Sequence, residues 1–440
     1  MGTLLGGCRS GDENAMIWID ITDLSNWSGH MTGIQRVVYN IAVRYSRDQS
    51  DQVGFFRYDA GQREFFTATI DFSVWEGGLQ PSAQGPSLKG RLVSFVPAVV
   101  RHRTPQIAKR AVKKAYRIAK AQKHNLPSIK ARTTSTGQVP HTFTLKDTVL
   151  VLGNAWDNKY MFLDLGKKKA KEGFELVNVV YDLIPLVQPQ FFGGMLTAQY
   201  AEYMFEAAAN SDLVLPISVN TEKDLAKFCE QAGLNMPKSS VIRLGDEISE
   251  TVEPTVPGWY RGMPFILCVG TIEVRKNHML LYYTYKQLLE TMDSKDIPEL
   301  VIVGSKGWFT GDVLMLFEKD PEVSKMVRLF HHTNDAELQW LYENCLFSVY
   351  PSMYEGWGLP VAESLARGKV ILSSNSSSMA EISKEYVDYF SPYDPVQCAE
   401  LIKRYLDPKL RLDREKQVVK YRTTTWESTY RQVNKLVNKL

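Results

Sequence analysis

The stretch YPSMYEGWGLPVAESLARGKVILSS, residues 350–374, reads as strand, loop, helix and strand. Its loop carries Gly356 and Gly358, which have no side chain and let the backbone approach a ligand closely. Pro360 suits the first turn of the following helix, and Gly368 suits its end. A helix start presents unpaired N–H groups and the positive end of the helix dipole, which together form an anion site. Glu355 stands in the loop and Glu363 in the first helical turn, with seven residues between them. Ionised carboxylates accept strong hydrogen bonds from sugar O–H groups, so this pair suits a ligand with a phosphate between two hydroxylated sugars. A glutamate pair on a solvated helix start is the competing reading.

On both sides of this segment the same alternation repeats. Residues 17–21 read as a first strand, followed by a loop containing Gly29 and a helix over 32–45. Residues 148–152, 176–181 and 213–217 are apolar runs of strand length, each followed by polar loop residues and a helical pattern. This is the mark of βα units and a parallel sheet. Residues 245–262, rich in Gly, Pro, Thr and acids, break the pattern and read as a linker. Strands then return at 265–269, 300–303, 327–330, 347–350 and 370–372, and a helix fits 335–344 with Asp335 as its N-cap. The expected fold class is α/β, with two doubly wound Rossmann-like domains facing across a cleft. Expected boundaries are a leader at 1–15, a first domain at 16–245, a linker at 246–262, a second domain at 263–424 and a closing helix at 425–440. Ligands of such sheets bind outside the carboxyl ends of the strands.

Other candidates sit at those carboxyl ends. In FILCVGTIEVRKN, residues 265–277, Gly270 turns the chain after the strand, and Arg275 and Lys276 follow at a helix start. Two cations there are placed to neutralise a diphosphate, or are surface decoration. Gly33, in MTGIQRVVYNIA, stands at a loop-to-helix junction that faces a phosphate across the cleft or makes a tight turn. Asp182, in VVYDLIP, is a polar candidate near a reacting centre or the cap of the following turn, and Ser218, in PISVNTEKD, is a further candidate.

The segment YEGWGLPVAESLARG, with Glu355 and Glu363 at its signature spacing, resembles retaining glycosyltransferase family four, the glycosyl transferases group 1, which have the GT-B fold. The resemblance covers nearly all of 16–440 and is looser over 50–145. It implies that Glu355 binds the donor sugar, that Glu363 binds the nucleotide ribose, and that the backbone of Trp357, Gly358 and Leu359 lines the donor. FILCVGTIEVRKN resembles the element whose basic pair binds the donor pyrophosphate, which assigns Arg275 and Lys276 there, beside Gly270 and Thr271. Val274 replaces a usual proline, and Thr271 stands where many relatives have arginine. VVYDLIP is similar to an element in which many relatives carry histidine at Tyr181, which leaves Asp182 as the polar group. MTGIQRV resembles the Gly-rich acceptor-side loop, PISVNTEKD a serine-containing loop facing the donor, and TWESTYRQV at 425–433 the helix that crosses back to the first domain. The expected catalytic set is thus Asp182, Glu355, Arg275 and Lys276.

What this resemblance implies is metal-independent transfer of a hexose, with the anomeric configuration retained, from a nucleotide sugar to a glycan or lipid-linked acceptor. GDP-mannose and bacterial surface-polysaccharide assembly come first. A UDP- or dTDP-sugar donating glucose, galactose or rhamnose is the alternative, as is a non-catalytic sugar-nucleotide-binding scaffold. No cofactor is expected. No D-x-D triplet occurs, and His278, His331 and His332 lack a ligand partner at metal spacing.

The chain of 440 residues is 44% hydrophobic and 23% charged with a net charge of +3, which is ordinary for a soluble protein of two domains. Five widely spaced cysteines without a CxxC pair fit a reducing compartment, and no run approaches a membrane span, so a cytoplasmic location is expected. Residues 101–132 hold eleven Lys/Arg and no acid. They read as a solvated helix or loop, or as a basic helix on an anionic membrane at the inner face. With Tyr116 the lone aromatic there, binding to nucleic acid is not expected.

Overall fold

The computed structural model describes residues 15–26, 33–73, 134–135, 139–247, 253–331 and 333–440. The 1–14 part of the expected leader, Gly29, Thr32, the basic segment 101–132, part of the linker and His332 lie outside them. The architecture is α/β with two sheets. The first contains β1 (Ile17–Asp20), β2 (Val53–Asp59), β3 (Glu64–Thr69), β4 (Thr134–Ser135), β5 (Thr148–Val151), β6 (Glu175–Val180), β7 (Leu213–Pro216) and β8 (Lys238–Ser239), in the order β4-β3-β2-β1-β5-β6-β7-β8. The run from β2 to β8 is parallel, whereas β3 and β4 add antiparallel edge strands. The second contains β9 (Phe265–Val269), β10 (Glu299–Val303), β11 (Val327–Phe330), β12 (Ser348–Tyr350), β13 (Ile371–Ser374) and β14 (Asp388–Phe390). It is wholly parallel, in the order β11-β10-β9-β12-β13-β14.

The central strands are buried on both faces because helices cover both, as in β5, β7 and β13. In each sheet the order reverses beside the first strand of its half: between β1 and β5, and between β9 and β12. Those reversals leave a crevice at the strands' carboxyl ends. The hairpin β2–β3 arises from the stretch where the family resemblance is loosest.

The helix Trp426–Val437 packs on the first half. Tyr430 meets Tyr45 edge-on at 4.9 Å, and the Thr429 hydroxyl donates to the Arg243 carbonyl at 2.8 Å. Gly245 lies so close to the Trp426 indole that a Cβ would come within 2.5 Å of it.

Two local expectations need correction. Asn334, not Asp335, caps the helix Asp335–Asn344: its side chain accepts from the Glu337 amide while Glu337 reaches back to the Asn334 amide, a capping box. The helix Leu359–Ala366 begins at Leu359, so Glu363 is its fifth residue and stands in the second turn rather than the first.

Candidate functional site

The crevice between β9 and β12 gathers the second half's charges. Beyond β9, Gly270 turns the chain at φ 149°, and a Cβ on Gly304 would come within 1.9 Å of the Gly270 carbonyl. This close approach brings the ends of β9 and β10 together and is reinforced by pairing of Ile272 with Lys306. Thr271 remains exposed at this turn. A short 3-10 turn, Val274–Lys276, then sets both cations toward the loop that follows β12. Arg275 lies 2.7 Å from one Glu355 oxygen and 2.8 Å from Glu273, while Lys276 lies 2.7 Å from the other Glu355 oxygen. The Tyr350 and Ser352 hydroxyls also donate to Glu355, at 3.0 and 2.6 Å.

Glu355 is almost fully buried. Burial alone would raise its carboxyl, but the Arg275 and Lys276 charges outweigh it and hold the group at about 2. Burial also pushes Lys276 down, against the pull of Glu355, and pushes Glu273 up. For Arg275, burial is more than offset by Glu355 and Glu273, which raise it and keep it cationic.

The first half supplies the other wall. A Cβ on Gly356 would lie 2.2 Å from the Tyr181 carbonyl oxygen and 2.9 Å from the Asp182 Cβ, so the two loops touch backbone to backbone. Asp182 keeps part of its surface open, yet burial raises its carboxyl, with Arg275 and the bond from the Ile184 amide pulling the other way. That hydrogen bond, at 2.9 Å, satisfies the Ile184 amide at the start of the turn Ile184–Val187, whose N-cap residue is Leu183. The Tyr181 phenol turns away to donate to the Leu152 carbonyl at 2.6 Å.

Gly33 opens the helix Gly33–Asp48, and a Cβ there would lie 3.2 Å from Leu359, the first residue of the opposing helix. One turn further along each helix, Arg36 donates to Glu363 at 3.1 Å, and Tyr342 donates to the other Glu363 oxygen at 3.0 Å. Gly358 at φ 151° permits the turn into the helix, and the Trp357 indole is buried beneath the Arg243 guanidinium.

The structure thus brings together Gly33, Asp182, Gly270, Arg275, Lys276, Glu355, Gly356, Leu359 and Glu363. Ser218, the further donor-side candidate, has a structural role. It is 1% exposed and caps the helix Val219–Ala232, with its oxygen accepting from the Thr221 amide and its hydroxyl donating to Thr221 Oγ1. The amides that follow, Val219 and Asn220, donate to Glu381 of the second half. The sequence reading missed Glu273, Tyr350 and Ser352, whose partners are near in sequence, and Tyr342, Arg36 and Glu381, whose partners are distant. Glu273, two residues before Arg275, and Tyr350 and Ser352, within five residues of Glu355, had a local signal.

Chemically, the crevice offers two half-buried cations just before a helix start, a carboxylate kept ionised beside them, and a second carboxylate one turn inside an adjacent helix. Among the described residues no group of three His, Cys, Asp or Glu is placed to hold a metal ion, and no helix is long and apolar enough to cross a membrane. Four buried cysteines, Cys229, Cys268, Cys345 and Cys398, are unpaired.

A model of the glycosyl transferases group 1 family matches residues 250–423, which hold the whole second sheet. The serotype-specific mannosyltransferase WbdA of Escherichia coli is 24% identical over 52% of this chain and 29% of its own length. The O-antigen chain mannosyltransferase B of the same organism is 33% identical over 27% of this chain and 30% of its own. The aligned region thus spans under a third of these relatives. Solved structures match almost the whole chain. Sucrose-phosphate synthase from Thermosynechococcus elongatus covers 97% of it, and 99% of its own chain, at TM-score 0.59 and 16% identity. HepE from Anabaena, in complex with UDP and glucose, covers 97% and 100% at TM-score 0.59 and 14% identity. At these identities the likeness speaks for the fold, which is GT-B.

Proposed function

From the match of residues 250–423 to the glycosyl transferases group 1 family, we propose that the chain is a retaining glycosyltransferase of that family acting in surface-polysaccharide biosynthesis. It moves a hexose, with GDP-mannose the first choice of donor, to a glycan or lipid-linked acceptor. The observation that carries this reading is the buried cluster in which Arg275 and Lys276 share Glu355 at the mouth of a helix start. The choice of mannose draws support from the two mannosyltransferase relatives.

In this reading Arg275 and Lys276 take the donor diphosphate and stabilise the charge that develops as it departs, without a metal, which is an electrostatic task suited to a buried site. Glu355, kept ionised by the same cations, accepts from sugar hydroxyls, and Glu363 accepts from the ribose. The acceptor hydroxyl attacks on the face the diphosphate leaves. The C1–oxygen bond to the diphosphate breaks as the bond to the acceptor oxygen forms, and the acceptor proton passes to the departing diphosphate. Asp182 borders the reacting centre from the first half. A peripheral association with an anionic membrane through 101–132 belongs to the same proposal, because a lipid-linked acceptor would be met there.

The test is a thermal-shift series with GDP, UDP, dTDP and ADP without added metal, on the wild type and Glu363→Ala. A ligand at one hundred times its Kd stabilises the native state by about 2.7 kcal/mol. GDP is expected to raise the wild-type melting temperature selectively and to do so less in the variant. Selective stabilisation by UDP or dTDP would replace the donor. No shift with any of the four would refute a donor site, and a sugar-nucleotide-binding scaffold with it.

A further inference from the structure

Among the described residues, Arg36 is the one group of the first half that pairs with Glu363, and it reaches across the crevice to do so. Its position follows from two helix registers. Gly33 and Arg36 are three apart on one helix, and Leu359 and Glu363 are four apart on the other, so each pair lies on a single face. With Gly33 against Leu359 at one level, Arg36 meets Glu363 at the next. Tyr342, itself buried, holds the remaining carboxylate oxygen. A carboxylate offers about four lone-pair sites. Arg36 and Tyr342 therefore fix its plane while leaving one site on each oxygen, enough for two neighbouring hydroxyls.

We propose that Arg36 is a positioning residue for nucleotide recognition: through its bond to Glu363 it makes binding of a ribose diol depend on the approach of the first half to the second. This rests on the reading of Glu363 as the ribose carboxylate. Arg36 acts on the diol alone, since the diphosphate is assigned to Arg275 and Lys276. Its side chain, 35% exposed, contributes little to the core, so its replacement leaves the fold intact.

The test is calorimetric titration of wild type, Arg36→Gln, Arg36→Lys and Tyr342→Phe with GDP and UDP and with their 2′,3′-dideoxy counterparts. The wild type prefers the ribose form. Arg36→Gln loses about fivefold or more of that preference, a typical size for coupling between sites, with unchanged affinity for the dideoxy form. Arg36→Lys restores part of the preference, and Tyr342→Phe loses some of it. Equal weakening of both forms in Arg36→Gln, or an unchanged preference, overturns the proposal while the donor site stands. A wild type that binds both forms equally removes the ribose role of Glu363, and this inference with it. A wild type that binds neither nucleotide removes the donor site as well.

Discussion

Replacing Gly356 by alanine probes the closest approach between the two halves. The new Cβ would lie 2.2 Å from the Tyr181 carbonyl oxygen, more than an ångström inside ordinary contact, and 2.9 Å from the Asp182 Cβ. The obstacles are backbone atoms and a Cβ, so no side-chain rotation relieves the clash; one loop must retreat by about 1 Å. Gly356 directly follows Glu355, and Asp182 borders the proposed reacting centre, so the retreat changes their separation. Misplacement of that size costs about a hundredfold in rate, equivalent to about 2.7 kcal/mol of activation free energy. Overpacking also lowers stability, by about 1–3 kcal/mol. The assay is release of GDP from GDP-mannose with acceptor, beside a melting curve. Gly193→Ala is the control, because a Cβ there meets nothing within 4 Å, and its rate should stay within about twofold of wild type. A folded Gly356→Ala enzyme that turns over as fast as that control would refute the claim that this contact sets the geometry of catalysis.

Two further outcomes concern charge. Asp20 is buried at the end of β1, and burial raises its carboxyl to about 7, against the bonds it accepts from Thr22. The folded state therefore binds more protons than the unfolded one between about pH 4 and pH 7, so this residue's contribution to stability falls as pH rises through that window. Asp20→Asn keeps an acceptor oxygen and removes the ionisation; denaturant melts should show a variant gain of roughly 4 kcal/mol at pH 8 that vanishes near pH 4, and a gain equal at both values would refute the assignment. For the basic segment 101–132, flotation with vesicles containing phosphatidylserine should carry the wild type upward and leave a charge-neutralised variant behind, with added salt releasing the wild type. Equal flotation of the two proteins would sink the membrane role.

The parts of the site that were legible in the sequence are those whose chemistry is local. Gly356, Gly358 and Glu355 fall within four residues, and Arg275 and Lys276 are adjacent, so residue type and spacing alone singled out the loop and the cation pair that the structure sets against it. The capping error at Asp335 has a local cause too. Asn334 and Asp335 are both good caps, and the deciding fact, Glu337 three residues beyond Asn334, was present in the sequence. Ser218 illustrates the opposite failure: a serine just before a helix is a cap by default, and the structure gives it that role. The groups that hold Glu355 and Glu363 were mostly illegible for a different reason. Tyr342 and Tyr350 read as apolar strand or helix residues, and their hydroxyls acquire a purpose only when packing aims them at a carboxylate.

Arg36 shows where that limit lies. It is 327 residues from Glu363, and nothing in GIQRVVYN distinguishes it from any arginine on an amphipathic helix. Its partner follows only once two helix starts are set face to face, because a shift of one residue in either helix rotates its side chains by about 100° and parts the pair. That register is fixed by contacts that involve no charge: the space left by Gly33 for Leu359, and the backbone contact of Gly356 with Tyr181. The glycines legible as permissive loop residues are therefore also what bring Arg36 within 3.1 Å of Glu363. Weakening the Gly356 contact should for this reason reduce ribose discrimination together with rate, whereas removing Arg36 alone should reduce discrimination while the loops remain in register.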